Sequence, residues 1–338
     1  MRSWVRTVLI LAVTIALLAF FFRDANFADV WAETRRANAW LLLAAVVFTF
    51  ITHALRAWRW QSLLAPIGPT RFSTAFETTI IGFAVSFFIP ARPGEVVRPF
   101  LLARKEGLPP TAAFATVILE RLLDLVTVLL LFGIFVLTVP AGVLRGDAAQ
   151  FAHVKFWGGV AAAAALAGLV LVFTLAGHPE RLGRAAGRIE RVLPARAAHA
   201  VARFVESFAQ GLAVMRQPAR LAIALVQSLP VWLSIGVGIW LTSRAFSITF
   251  PYSGSFLVMA LLTVGVAVPT PGQIGGFHAA YQIAVQTFFN ASYDRAVGAA
   301  LVLHAVSFVP VSLLGVIYMA REGLTFQNAQ QIASSETT

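Results

Sequence analysis

The sequence predicts an all-α polytopic membrane protein with about six full transmembrane helices and two re-entrant hairpins of opposite orientation, arranged as an inverted repeat. Three observations predict it. Of 338 residues, 59% are hydrophobic and 12% charged, about half the charged share of an ordinary soluble domain. Apolar runs of membrane-spanning length follow one another. Two shorter apolar runs are each broken by a cluster of proline and glycine. The runs are continuous and do not alternate, which argues against a β-barrel.

The first span is expected at about 4–22. Its apolar core runs from Thr7 to Phe22 with no small-x-small cleavage site after it, so it reads as an uncleaved span. The second span runs about 40–64. Residues 72–90 are apolar but stop at Pro90, and the next apolar piece, 96–103, is too short to cross, since a span needs roughly 20 residues for about 30 Å. Further spans fall at about 110–139 and 156–175. A polar segment follows at 177–218, then a span at about 219–243. Residues 253–268 are another short run, broken by PTPGQIGG, and 274–290 form its return arm. The last span is about 296–320. A single domain is expected over 1–320, with 321–338 a disordered cytoplasmic tail.

Orientation follows from Lys and Arg. The segment 177–218 carries Arg181, Arg184, Arg188, Arg191, Arg196, Arg203 and Arg216 and no lysine, and is placed in the cytoplasm. There it reads either as an amphipathic basic helix on an anionic leaflet or as a solvated linker. Both termini then also lie inside, in a cell (inner or plasma) membrane. This works only if 72–104 enters from the cytoplasm and returns there, while 253–290 enters and returns from outside.

The two broken segments resemble each other. The first turns at P-A-R-P-G-E-V, with Pro90, Pro93 and Gly94. The second turns at P-T-P-G-Q-I, with Pro269, Pro271, Gly272 and, shortly after, Gly276. Short Pro/Gly-interrupted segments at corresponding places in two halves point to a transporter's binding site. Broken backbone at membrane depth must be buried in protein or line a wet cavity.

Charges sit where apolar residues were expected. Arg92, Glu95 and Arg98 are three residues apart, and a helix starting near Pro93 puts Glu95 in its first turn and on one face with Arg98. Each charge costs ~2.5–3.5 kcal/mol at mid-bilayer, so these three need a polar cavity or partners. They read as a site for a phosphate or carboxylate, or as a structural ion pair. Glu120, Arg121 and Asp124 form a second group in TVILERLLDLVTVLL, for charge networking or gating. Its surplus negative charge calls for another arginine, with Arg56, Arg59, Arg92 and Arg98 the candidates. A catalytic use of paired carboxylates lacks an accompanying nucleophile or metal set. In HALRAWRW, Arg56 and Arg59 alternate with Trp58 and Trp60. An interfacial belt with snorkelling arginines and a headgroup site at a cavity rim both fit. In the second break Gln273 takes the place of Glu95, and Gly275 offers an exposed amide at a helix start. His53, His278 and His304 lack metal-ligand spacing and read as satisfied core histidines, with His278 the best candidate for more.

Net charge is +11, yet 26 basic residues are too few and too scattered for a nucleic-acid groove. The absence of cysteine excludes disulfides, thiolate metal sites and cysteine nucleophiles. No G-x-x-x-x-G-K-[ST] occurs, so ATP hydrolysis is not expected. Neither is a cofactor.

R-A-W-R-W, P-A-R-P-G-E-V-V-R-P with the following L-L-A-R-K-E-G, E-R-L-L-D-L, and P-G-Q-I-G-G-F-H together resemble the integral-membrane family known as the lysylphosphatidylglycerol synthase transmembrane region, or flippase-like domain. The resemblance covers about 5–320. In bifunctional members such a domain is fused to a soluble one that aminoacylates phosphatidylglycerol, and the membrane part is regarded as moving the product lipid between leaflets. About eighteen residues follow the last span here, so the synthase activity is not expected to carry over. Members often have a glutamate where this chain has His278. The resemblance implies a lipid flippase for an anionic or zwitterionic headgroup. The alternatives are a transporter of a small hydrophilic anion and a non-transporting subunit that recruits a lipid-modifying enzyme. Partners expected are membrane phospholipids and, as further options, that enzyme and a second copy in a homodimer.

Overall fold

The computed structural model describes residues 3–90, 92–138, 151–160, 162–164, 167, 217–268, 270–328 and 331. Among them every regular element is a helix: α1 (Ser3–Phe22), α2 (Phe27–Arg36), α3 (Ala39–Leu64), α4 (Phe72–Phe88), α5 (Gly94–Glu106), α6 (Pro110–Thr138), α7 (Pro218–Ala245), α8 (Gly254–Ala267), a 3-10 turn (Pro271–Gln273), α9 (Gly276–Phe289) and α10 (Tyr293–Arg321). Residues 151–160 are also helical.

Among the described residues four helices are long and apolar enough to cross a membrane: α3, α6, α7 and α10. They run 26, 29, 28 and 29 residues, longer than the roughly 20 a bilayer core requires. They match expected spans closely, and Leu43, Val47, Leu313 and Ile317 are exposed on their outer faces. The chain is a multi-pass helical membrane protein. The expected first span coincides with α1, a helix of 20 residues. Most of the expected span at 156–175, and the basic segment 177–218 but for its last two residues, lie outside the described residues. The segment from 321 expected to be a disordered tail makes packed contacts at its start. Leu324 lies against the cluster of Ile81, Val85, Val97, Leu101 and Met319, and the Phe326 ring meets Phe88 at 5.3 Å. Its end lies outside the described residues.

Proline chemistry sets both breaks. The residue before a proline is pushed to extended backbone. Ile89 (φ −110°, ψ 126°) and Val268 (φ −68°, ψ 122°) obey, and α4 and α8 end there. Thr270, before Pro271, is extended too. The first break then needs a left-handed residue, and Arg92 supplies it (φ 55°). The second uses three: Gly272 (φ 58°), Gln273 (φ 60°) and Gly275 (φ 90°).

After each break the chain folds back at a glycine. A Cβ on Gly94, the first residue of α5, would sit 1.8 Å from the carbonyl oxygen of Gly82 in α4. A Cβ on Gly276, the first residue of α9, would sit 2.2 Å from that of Gly265 in α8. Only hydrogen fits between these backbones.

Polar ties fix which end each pair opens toward. At one end Lys105 of α5 binds Glu77 of α4 (2.9 Å) and Glu322 just past α10 (2.7 Å), and Arg71 binds Glu106 (3.2 Å). At the other, Tyr293 donates to the Phe21 carbonyl (2.8 Å) and the Asn38 amide to that of Ala245 (3.0 Å). Phe250 stacks on Phe289 there, tying the start of α8 to the end of α9. The outer ends of α4 and α5 thus lie opposite those of α8 and α9.

The helix α2 was not expected. Its ten residues carry too little apolar surface to register as a span. Its caps are legible in hindsight: Asn26 accepts from the Ala28 amide, Asp29 lies in its first turn, and Arg35 and Arg36 in its last.

Candidate functional site

The site grows from one face of the end of α3. Arg56, Arg59 and Trp60 are buried, while Trp58 is exposed. An interfacial belt therefore describes Trp58 alone. The Trp60 ring lies under the Arg98 guanidinium, 3.7 Å away, and its indole N–H donates to Thr116 (2.9 Å). The two α3 arginines do not snorkel; they turn inward to α6.

There they meet Glu120 and Asp124, one helical turn apart. Arg98 of α5 grips Glu120 with two hydrogen bonds, 3.2 and 3.1 Å. Arg59 bridges both carboxylates, at 3.3 Å from Glu120 and 2.7 Å from Asp124, and donates to Ser228 of α7. Arg56 and Arg121 each approach Asp124, at 3.3 and 3.2 Å, and the Trp232 indole donates to it at 2.8 Å. Glu120 is wholly buried and Asp124 nearly so. Buried charges are tolerable only when paired and hydrogen-bonded, and this network does both across four helices. Glu95 and Arg98 share a helix face in sequence, yet they do not pair: Arg98 goes to Glu120, and Glu95 lies nearer Arg121 (3.5 Å) and Arg92 (3.8 Å). Among the described residues five guanidiniums thus face three carboxylates, a surplus of two positive charges.

A cavity of about 420 Å³ opens beside this cluster. Its lining includes the charged Arg56, Arg92, Glu95, Arg98, Arg121 and Asp124. It also includes the apolar Ile239, Met259, Leu262, Phe277, Leu303 and Phe308. Both breaks reach it, the first through Arg92 and Gly94 and the second through Gln273. They also touch directly, since Arg92 donates a hydrogen bond to the carbonyl of Val266 near the end of α8. Pro310 adds a further polar point. Lacking an N–H, it leaves the Val306 carbonyl of α10 without its helical partner, and the Thr49 hydroxyl of α3 lies 3.4 Å from it while donating to the Ala45 carbonyl at 3.1 Å.

Several expected site residues stand behind the cavity wall. Arg59 and Glu120 are fully buried within the charge network. Gly275 does not offer a free amide, because its N–H donates to His278 Nδ1 (3.2 Å). His304 donates from Nε2 to the Gly272 carbonyl (2.7 Å), and the two imidazoles face each other at 4.7 Å. The histidines therefore close the second turn. His53 donates to the Thr49 carbonyl (2.8 Å) and does line the cavity. Pro269 lies outside the described residues. Among the described residues no group of His, Asp and Glu is arranged to hold a metal ion.

Sequence reasoning missed the contribution of α7. Ser228, Trp232 and Ser234 all serve the site, the last through a 2.7 Å contact with Thr52. The signal was present as polar residues recurring within an apolar run, QSLPVWLS.

These features define a multi-pass helical membrane protein with an arginine-rich internal cavity. The chain belongs to the family described as Lysylphosphatidylglycerol synthase TM region, which it matches over residues 7–315. It is also similar to a protein named Glycosyltransferase AglD from Haloferax volcanii, 26% identical over 135 residues. That match covers 39% of this chain and 21% of the relative, so the chain spans only a fraction of the relative's length.

Proposed function

We propose that this protein is a flippase-type lipid transporter. It moves a lipid with a phosphate-bearing, anionic or zwitterionic headgroup between leaflets, without ATP hydrolysis and without acting as an enzyme. One observation carries the reading: a single cavity of about 420 Å³ joins surplus arginine charge to apolar lining residues. Arginine suits a phosphate, offering paired donors in a planar fork. The volume lies in the usual range of ligand sites, ~300–1,000 Å³. Arg56, Arg92 and Arg121 are the headgroup-facing cations; Asp124 holds Arg56 and Arg121, and Glu95 lies beside Arg92. Family membership supports a lipid-related role.

We further read α4–α5 and α8–α9 as re-entrant hairpins of opposite orientation in an inverted repeat, in a cell membrane, with both termini cytoplasmic. The paired glycine contacts and opposed outer ends support this. The chain contains no cysteine, so single cysteines report cleanly. A cysteine at 105 is expected to react with impermeant maleimide only from the cytoplasmic side, and one at 292 only from outside. The reverse pattern would refute the topology.

The transport reading is tested in proteoliposomes with fluorescent phosphatidylglycerol, by quenching of the outer leaflet. The wild type is expected to exchange the lipid faster than protein-free vesicles do. Arg56→Gln is expected to slow exchange about tenfold, the scale of one lost charge-assisted hydrogen bond. Its fold is expected to survive, since Asp124 keeps Arg59, Arg121 and Trp232. No wild-type exchange above background would sink the reading. One observation favours a second reading. The similarity to a protein named as a glycosyltransferase fits a membrane partner that presents lipid to a separate lipid-modifying enzyme.

A further inference from the structure

Glu95 differs from the other two carboxylates of the cluster. Glu120 and Asp124 are buried and each is held by hydrogen bonds of 3.3 Å or less. The Glu95 side chain is 36% exposed, and its nearest cations are Arg121 Nε at 3.5 Å and Arg92 at 3.8 Å. Those are ion-pair distances, longer than the ~2.7–3.2 Å of good N–H···O bonds. Arg121 Nε is buried and has no hydrogen-bond partner among the described residues, and the same holds for Arg98 Nε. The cluster thus contains guanidinium donors that its own carboxylates leave unsatisfied. Burying such donors is costly unless an acceptor reaches them.

The position of Glu95 is set by the break. Arg92 takes the left-handed backbone (φ 55°) and its carbonyl accepts from the Glu95 amide (3.1 Å). The turn therefore aims the Glu95 carboxylate back between Arg92 and Arg121, into the cavity that both arginines line. Arg92 is also the side chain that joins this break to the second, through Val266. A group that pairs with Arg92 acts at the junction of the two broken helix pairs.

We propose that Glu95 is the resident counter-anion of the cavity: its carboxylate occupies the position between Arg92 and Arg121 that a phosphate oxyanion takes, and the two exchange. This rests on the transport reading above and adds how the site binds and releases. A tetrahedral phosphate presents more acceptor oxygens than one loosely held carboxylate, one of them for Arg121 Nε, which Glu95 approaches only at 3.5 Å. When it leaves, Glu95 returns and the arginines do not face the apolar lining uncompensated. Binding is then an exchange of one anion for another. That limits affinity and favours release, as a transporter requires.

The experiment measures binding of dioctanoyl phosphatidylglycerol and, separately, of inorganic phosphate to the full-length purified protein by calorimetry. Glu95→Gln and Glu95→Ala remove the competing charge. Each is expected to bind tighter than wild type by about three- to fivefold, the upper scale of one partly exposed ion pair. Lipid exchange is expected to slow in the same variants as release becomes limiting. Glu95→Asp keeps the charge and is expected to stay within about twofold of wild type. A gain for the lipid alone assigns the position to a lipid headgroup; a gain for both assigns it to phosphate chemistry in general. Unchanged or weaker binding in both neutral variants, with wild type binding normally, overturns the exchange while leaving the transport reading standing. Absence of binding and of lipid exchange in the wild type overturns both.

Discussion

Glu120→Leu is expected to destabilise the protein by about 3–5 kcal/mol, the penalty for stranding a buried charge. Glu120 is fully buried and carries both hydrogen bonds from Arg98 and an ion pair to Arg59. Leucine leaves the Arg98 guanidinium stacked on Trp60 with no acceptor at all. Removing the second partner is expected to reverse much of the loss. In Glu120→Leu/Arg98→Met the stranded cation is gone, Arg59 still holds Asp124 and Ser228, and two apolar side chains fill similar volume. Thermal unfolding of the detergent-solubilised protein reads both variants. A single variant as stable as wild type, or a double variant no better than the single, would show that this pair does not hold α5 to α6. The distinction bears on function. A cluster that only carried cargo would tolerate the loss of Glu120 and fail in transport alone.

Much of the fold was legible because a bilayer makes hydropathy decisive. The expected spans at 40–64, 110–139, 219–243 and 296–320 fall on α3, α6, α7 and α10 within a few residues. The return arm of the first break, read as a helix starting near Pro93 in a hairpin ending at 104, falls on α5 within two residues. Apolar residues alone mark only 96–103, and α5 runs from Gly94 to Glu106 because charged residues at both ends continue the helix and pair with neighbours. The helix α2 escaped: it is held by caps and by packing of Val30, not by length of apolar sequence.

The site was legible in its members and not in its pairings. Arg56, Arg59, Arg98, Glu120 and Asp124 stood out because ionisable residues in apolar runs are expensive. Spacing suggested that Glu95 and Arg98 act together. The fold separates them, since Arg98 finds a deeper carboxylate on another helix and an aromatic face beneath it. Trp232 and Ser228 were invisible as partners of Asp124 and Arg59, because no spacing rule links α7 to α6 or α3. His278 and His304 are 26 positions apart in sequence, so their meeting behind the second turn is also a property of the fold.

The glycine pairs give the sharpest test of how the breaks are built. Gly94→Ala places a methyl 1.8 Å from the Gly82 carbonyl oxygen, and Gly276→Ala places one 2.2 Å from that of Gly265. In both cases the obstacle is backbone, which cannot rotate aside as a side chain does. Each variant is expected to lose about 3 kcal/mol, the upper range for overpacking, with Gly94→Ala the worse. Gly133→Ala is the control. It lies in the long helix α6 with nothing within 4 Å of the added Cβ, so alanine there is expected to be neutral or slightly stabilising. Equal stability of all three would mean that the helix pairs tolerate a wider separation. Transport is the finer readout. Gly94 directly precedes Glu95 and lies two residues after Arg92, and a helix pair forced apart by roughly 1 Å carries their charges off position. Misplacement on that scale can cost about a hundredfold in a geometry-dependent step. A Gly94→Ala protein that still folds is therefore expected to lose lipid exchange far more than its stability falls. Gly133→Ala is expected to leave exchange unchanged.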